Sequence, residues 1–284
     1  MHILVTGSKG QLGSEIKELS SQYPQYQFYF TDIEELNICK KEEIDVYFND
    51  HEIDVLINCA AYTAVDQCET EKKKARELNV LAVKNLALAC SAKNVSIVHI
   101  STDYVYDGKN HIPYKETDFT NPESYYGQTK LEGENMLEEF ANTAIIIRTS
   151  WLYSSFGKNF VKTMLKYGQE RDELKVVFDQ IGSPTYAADL AEIILKNIHQ
   201  IDFFNGVHYF HYSNEGVCSW YDFAKEILDI KQINCIVIPI ITEEYPLPAP
   251  RPAYSVLNKS KIKNELSIQI PHWKDSLAKC LQKL

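Results

Sequence analysis

Residues 124–134 read SYYGQTKLEGE, which sets two adjacent phenols one turn ahead of an ammonium. Side chains three or four residues apart on a helix are neighbours. Tyr126 and Lys130 are four apart and share a face, whereas Tyr125 and Lys130 are five apart and do not. A free phenol ionises near pH ~10, too high for ready proton exchange at neutral pH, and a nearby ammonium favours the phenolate. Tyr126 therefore reads as a proton donor, with Lys130 as its electrostatic partner and a hand for a ribose hydroxyl. Standing alone, the pair would be an ordinary surface feature.

It does not stand alone. Upstream, HISTDYVYDG (99–108) closes an apolar run at Ser101–Thr102. A hydroxyl at the carboxyl end of a parallel strand can hydrogen-bond a carbonyl oxygen as it becomes an alkoxide. The plainer reading of Thr102 is a β-branched residue finishing a strand. NCAAYTAVD (58–66) ends another apolar run on small residues, which lets a flat cofactor approach the backbone. Nearer the start, VTGSKGQLGSEI spaces Gly7, Gly10 and Gly13 as G-x-x-G-x-x-G between a strand and a helix. Such a turn brings backbone N–H groups and a helix N-terminus to a pyrophosphate. Asp32 falls at the end of the second apolar run, where an acid accepts from an adenosine ribose hydroxyl. Glu34 and Glu35 follow it and disfavour a 2′-phosphate, while Lys9 in the glycine loop offsets them.

The elements that must hold these residues alternate. HILVT, QFYFTD, DVLINCA, SIVHIST and AIIIRTS read as strands, and residues 11–22, 40–50, 71–93 and 125–140 read as helices between them. Continuous apolar strands separated by helices predict an α/β fold, a doubly wound parallel Rossmann-type sheet over residues 1–150. From about residue 151 the rhythm breaks. KVVFDQIGSPT suggests a strand and turn, 186–199 a helix, GVHYFHYS a strand, 219–230 a helix, and a last helix starts near Trp273. The expectation is a smaller C-terminal α/β substrate-binding lobe of residues 151–180 and 213–284, with 181–212 returning to the first domain. YPLPAPRPAYS (245–255) is long enough for a binding loop.

Composition removes other classes. The chain has 284 residues, 45% hydrophobic, and a net charge of −10, which excludes a nucleic-acid groove or an anionic membrane as partner. No run is long enough to span a bilayer and no leader pattern precedes MHILVTG, so a cytoplasmic protein is expected. Seven scattered cysteines form no C-x-x-C, and His208 and His211, three apart on a strand, point to opposite faces. No metal site is expected.

Taken together, the glycine loop, NCAAYT, STDYVY and the Tyr126/Lys130 pair resemble an extended short-chain dehydrogenase/reductase. TAVDQCE, STDYVYDG, YYGQTKLEGE, RTSWLY, NFVKTML, DQIGSPT and PAPRPAYSVLN further resemble the dTDP-4-dehydrorhamnose reductase family, in order along essentially the whole chain. The resemblance implies hydride transfer from NADPH or NADH to C4 of a dTDP-4-keto sugar, the last step of dTDP-L-rhamnose synthesis. It implies Tyr126 as proton donor, Lys130 as its modulator and ribose ligand, and Thr102 on the reacting oxygen. It implies cofactor contacts at Gly10, Gln11, Leu12, Asn37, Ile38, Ala61, Tyr62 and Thr63, and sugar-nucleotide contacts at Val65, Thr102, Asp103, Tyr104 and Trp151. Trp151 reads equally as a core residue. Arg251, a bidentate match for a diphosphate, reads equally as a surface ion-pair residue.

Departures bound the resemblance. Some family members dimerise around a magnesium held by acidic residues. Glu15 is present here, but the other places, near Ala188 and Lys274, lack carboxylates. That metal is not expected, and homodimerisation stays open. Related dehydratases carry an acidic pair after the strand-four threonine, whereas here Asp103 precedes Tyr104. Non-catalytic regulatory relatives of the fold tend to lose the Tyr/Lys pair, which this chain keeps.

Overall fold

The computed structural model describes the backbone of residues 1–284 and every side chain except those of residues 201–203. Its strands in chain order are β1 (His2–Thr6), β2 (Gln27–Thr31), β3 (Val55–Asn58), β4 (Ser96–Thr102), β5 (Thr143–Thr149), β6 (Leu152–Tyr153), β7 (Glu173–Val177), β8 (Ile181–Gly182), β9 (Thr185–Tyr186), β10 (Gly206–Tyr212), β11 (Cys218–Ser219) and β12 (Ile236–Ile240). The α-helices are α1 (Gln11–Leu19), α2 (Lys41–Asp50), α3 (Val65–Cys68), α4 (Lys72–Arg76), α5 (Ala82–Lys93), α6 (Tyr125–Phe140), α7 (Phe160–Glu170), α8 (Ala187–Asn197), α9 (Trp220–Ile230), α10 (Ser260–Glu265) and α11 (Trp273–Gln282).

Six strands form one sheet in the order β10-β5-β4-β3-β1-β2, and every pairing is parallel. Each strand is apolar on both faces because both are covered. Ile3, Val5, Ile57 and Val98 pack with α1 and α8, while Leu4, Leu56, Ile97 and Ile146 pack with α2, α5 and Leu137 of α6. The chain order reverses between β1 and β3, which puts a crevice at their carboxyl ends. The register there is level: Thr6 pairs with Asn58, and Asn58 with His99.

A separate apolar cluster lies beyond the sheet. Tyr153, Val161, Leu174, Phe223, Leu228, Val237, Trp273 and Leu277 build it from α7, α9, α11 and the parallel pair β7–β12. The proline-rich stretch does not join that cluster. It runs back over the end of β4, where the Tyr254 N–H donates to the Gly108 carbonyl at 3.0 Å.

One element departs from the expected pattern. Residues 71–93 do not form a single α-helix; Glu77–Leu81 is a π-turn between α4 and α5. The wider turn carries Asn79 inward, where it is buried. Its amide accepts from the Tyr62 N–H at 2.8 Å and donates to the Tyr62 carbonyl and to Thr129 Oγ1. An extra residue in a helix is tolerated where it satisfies buried polar groups of this kind.

Candidate active site

The crevice opens between the carboxyl ends of β1 and β3 and the connections that follow them. Its cavity is about 630 Å³, with Gly7, Lys9, Gly10, Asp32, Asn37, Ile38, Ala61 and Tyr62 in its wall. Gly7 has φ +65°, and a Cβ there would lie 2.7 Å from Ala60 Cα; a Cβ on Gly13 would lie 2.4 Å from the Gly7 carbonyl. The loop is therefore closed on itself by lacking side chains. Gly10 caps α1 without a side-chain hydrogen bond, so the first amides of α1 stay available to an anion. The Asp32 carboxylate accepts from the Lys9 and Ile33 N–H groups at 3.0 and 2.9 Å on the exposed rim of the cavity. Lys9 reaches back to Glu34 at 2.7 Å and Glu35 at 3.5 Å.

Gln11, Leu12, Gly13 and Thr63, also expected at the cofactor, stand outside this wall. Leu12 and Gly13 are buried beneath the loop and Thr63 is exposed. The Gln11 amide donates to the Leu152 carbonyl at 3.3 Å and accepts from Asn159 at 3.0 Å, which ties the loop to the chain after β5. Cys39, Cys59, Lys74, Glu77 and Leu78 line the cavity without having been singled out in the sequence. They come from connections and from α4 and the π-turn, and none carries a local signature.

Tyr126 lies at the start of α6, one turn before Lys130. Ser124 caps the helix, accepting from the Gly127 N–H at 3.1 Å. Tyr126 is 9% exposed, edge-on to Tyr104 with ring centres 5.5 Å apart. Around it gather Tyr62, Val65, Cys68, Tyr104 and Tyr125. Tyr125 turns elsewhere: Lys72 sits 5.0 Å from its ring centre, and its N–H donates to Glu69.

The electrostatics depart from expectation. Burial holds the Tyr126 phenol above its usual range, Asp103 and Cys68 push it the same way, and the Thr102 hydroxyl is what lowers it. Lys130 does not supply that lowering in this geometry, because its side chain is turned to the sheet. Lys130 Nζ donates to the Ile100 carbonyl at 2.7 Å and lies 3.2 Å from His99 Nε2. Lys130 is itself buried, and that burial brings its pKa down to about 8 against a smaller opposing pull from Glu134. The Glu134 carboxylate is held by both Arg148 Nε at 3.0 Å and Nη2 at 2.6 Å.

Thr102 ends β4, and its hydroxyl donates to Asp103 Oδ1 at 3.0 Å. Asp103 is buried, which raises its pKa to about 6, with the Ser255 and Thr102 hydroxyls working against the rise. Arg251 comes to the same place from the proline-rich loop. It pairs with Asp66 of α3 at 2.7 Å, and both charges act on Tyr104. Trp151 is half-buried and packs against the apolar cluster beyond the sheet. Its φ is +48°, a left-handed conformation that a bulky residue adopts at a cost. Its indole stacks on Trp220 at 3.6 Å and 10°, and a Cβ on Gly182 would strike it at 2.6 Å. Glu15 is buried, accepting from Ser154 at 2.6 Å with Lys283 at 3.8 Å, and Lys274 pairs with Glu226 at 2.6 Å. Among the described residues, no cluster of three metal-binding side chains occurs and no helix is long and apolar enough to cross a membrane.

A doubly wound sheet with a glycine loop at its switch point, and a buried tyrosine and a buried lysine on one helix beside it, is the arrangement of a Rossmann-type nicotinamide oxidoreductase of the short-chain dehydrogenase/reductase kind. The RmlD substrate binding domain family model matches residues 1–284. A dTDP-4-dehydrorhamnose reductase of Aggregatibacter actinomycetemcomitans is 40% identical, the match covering 97% of this chain and 96% of that one. The crystal structure of a dTDP-4-dehydrorhamnose reductase of Clostridium acetobutylicum is 44% identical with a TM-score of 0.95, covering 99% of both chains. The dTDP-4-dehydrorhamnose reductase of Bacillus anthracis, crystallised in complex with NADP, is 37% identical with a TM-score of 0.95 and covers 100% of this chain and 99% of that one. The chain belongs to the dTDP-4-dehydrorhamnose reductase family.

Proposed function

We propose that this protein reduces the C4 ketone of dTDP-4-dehydro-L-rhamnose to give dTDP-L-rhamnose, using NADPH or NADH. The observation that carries the reading is the buried Tyr126 at the start of α6, edge-on to Tyr104 just past the carboxyl end of β4 and beside the cavity of the glycine loop. The cavity fits a dinucleotide: it offers the uncapped start of α1 for a pyrophosphate and the Asp32 carboxylate for a ribose. Gly7, Gly10, Asp32, Asn37, Ile38, Ala61 and Tyr62 would hold it there. When bound, the reduced nicotinamide supplies the hydride.

The chain's own groups do the rest. Thr102 and Tyr126 bond the carbonyl oxygen, and Tyr126 gives its proton as that oxygen gains charge. On turning from the Ile100 carbonyl, Lys130 in its ammonium form stabilises the tyrosinate left behind and holds the nicotinamide ribose. Val65, Asp103, Tyr104 and Trp151 face the sugar nucleotide, and Arg251 exchanges Asp66 for the diphosphate. The separate apolar cluster around Phe223 and Trp273 supports residues 151–180 and 213–284 as the substrate lobe. The packing of α8 and β10 on the sheet supports 181–212 as part of the dinucleotide domain. We place the reaction in the cytoplasm, on a soluble nucleotide sugar, in a monomer or a homodimer built without a metal.

The test is direct. Purified protein is incubated with dTDP-4-dehydro-L-rhamnose while absorbance of the reduced nicotinamide is followed. Sugar-dependent, stoichiometric oxidation with an L-rhamnose product is expected. Tyr126→Phe is expected to lower kcat roughly 10²-fold while dinucleotide binding persists, and Tyr125→Phe to be mild. No oxidation by folded protein, or equal losses in the two variants, overturns the reading.

A further inference from the structure

A line of side chains crosses three strands beneath the proposed site. Thr6, Asn58 and His99 occupy one register row of β1, β3 and β4, so their side chains emerge side by side on the face that α6 covers. Thr6 Oγ1 donates to Asn58 Oδ1 at 2.8 Å, Asn58 Nδ2 lies 3.0 Å from His99 Nδ1, and His99 Nε2 lies 3.2 Å from Lys130 Nζ. Asn58, His99 and Lys130 are all buried.

Hydrogen-bond parity along this line is restrictive. The Ala60 N–H can only donate, and it meets Asn58 Oδ1 at 3.2 Å. That fixes the amide: its oxygen faces Thr6 and Ala60, and its NH2 faces His99. His99 Nδ1 must then accept, which leaves the hydrogen of the neutral imidazole on Nε2. Burial keeps that imidazole neutral. An Nε2–H facing Lys130 is satisfied by an amine, which accepts with its lone pair while still donating to the Ile100 carbonyl. An ammonium at the same place sets donor against donor, either at His99 Nε2 or, after a tautomer change, at Asn58 Nδ2.

We propose that Asn58 and His99 are positioning residues that bias Lys130 toward its free amine, so that its charge is adjustable during turnover. The role in turnover rests on Lys130 acting as described above; the tautomer does not. The other groups facing Lys130 leave this bias in place. Cys59, at the end of β3, is a neutral thiol, raised to about 12 by burial. Glu134, one turn along α6, favours the ammonium, but Arg148 balances its charge at 2.6 Å. The Ile100 carbonyl accepts from either form.

Two measurements decide the matter. The 15N shifts of the His99 ring in wild-type protein without ligands, identified by difference from His99→Gln, should report the Nε2–H tautomer. An Nδ1–H tautomer overturns the proposal. Asn58→Asp keeps an acceptor toward Thr6 and Ala60 and presents a second one to His99, so the tautomer should reverse and Nε2 should accept from the ammonium. The alkaline limb of kcat/KM should then move up by about one pH unit. An unmoved limb in folded Asn58→Asp also overturns it. If that variant fails to fold, the wild-type spectrum decides alone. A protein with no reductase activity that still shows the Nε2–H tautomer would remove the reading of the site and leave the hydrogen-bond chain standing.

Discussion

Burial holds the Tyr126 phenol above its usual range, and the Thr102 hydroxyl opposes only part of that rise. Thr102→Val keeps the shape and removes the hydroxyl, so kcat is expected to fall roughly 10²-fold, the scale of a lost oxyanion donor. Steady-state kinetics at fixed pH checks this, and an unchanged kcat would place the hydroxyl outside the reaction. Lys130 sets a second expectation. Its pKa is down to about 8, so the ammonium persists below that pH and is lost as pH rises through it. If the charged form is the one that supports Tyr126, kcat/KM should decline above about pH 8, and a profile flat to pH 10 would contradict the assignment. That Tyr126 and Lys130 lie one turn apart on a single helix was legible in the sequence, because spacing fixes the positions; that Lys130 turns to the sheet was not. His99 was not, since it reaches Lys130 from a strand 31 residues away, and nothing local in HIST marks it as a partner.

At the scale of elements, the parallel sheet and the helices between its first five strands followed from alternating apolar runs. The π-turn did not, because the apolar pattern of 71–93 continues straight through it. What decides its geometry is one buried amide. Asn79 is bonded at once to the backbone that carries Tyr62 into the cavity and to Thr129, the neighbour of Lys130 on α6. Asn79→Leu preserves the volume and orphans a buried N–H and carbonyl, a cost of about 1–3 kcal/mol for each group left without a partner. The connection after β3 should loosen, and the Kd for NADH should rise about 10-fold in a fluorescence titration. A variant binding NADH as tightly as wild type would show that the bulge serves packing only.

Over the whole molecule, the proposed substrate side draws on stretches far apart in the chain, which is why the sequence left Trp151 and Arg251 each with two readings. The Arg251–Asp66 pair, with the Ala249 N–H also donating to Asp66 at 3.2 Å, fastens the proline-rich loop to α3. Arg251→Lys keeps the charge and loses the planar fork, so KM for the sugar nucleotide should rise about 10-fold with kcat largely kept. Asp66→Ala should expose the loop to limited proteolysis between residues 245 and 255. A KM unchanged in Arg251→Lys would reduce Arg251 to a fastening for the loop.

Two indoles stacked at 3.6 Å are also a pair of coupled chromophores. Their transitions mix, so Trp151 and Trp220 should give the protein a two-signed circular-dichroism band in the far ultraviolet that neither indole produces by itself. Trp220→Phe should abolish it while the helical signal stays. Because the backbone at Trp151 is held in a left-handed conformation, any ligand that shifts that ring would alter the band's amplitude. The stacked pair would thus serve as an optical gauge of the proposed substrate side, readable without a label.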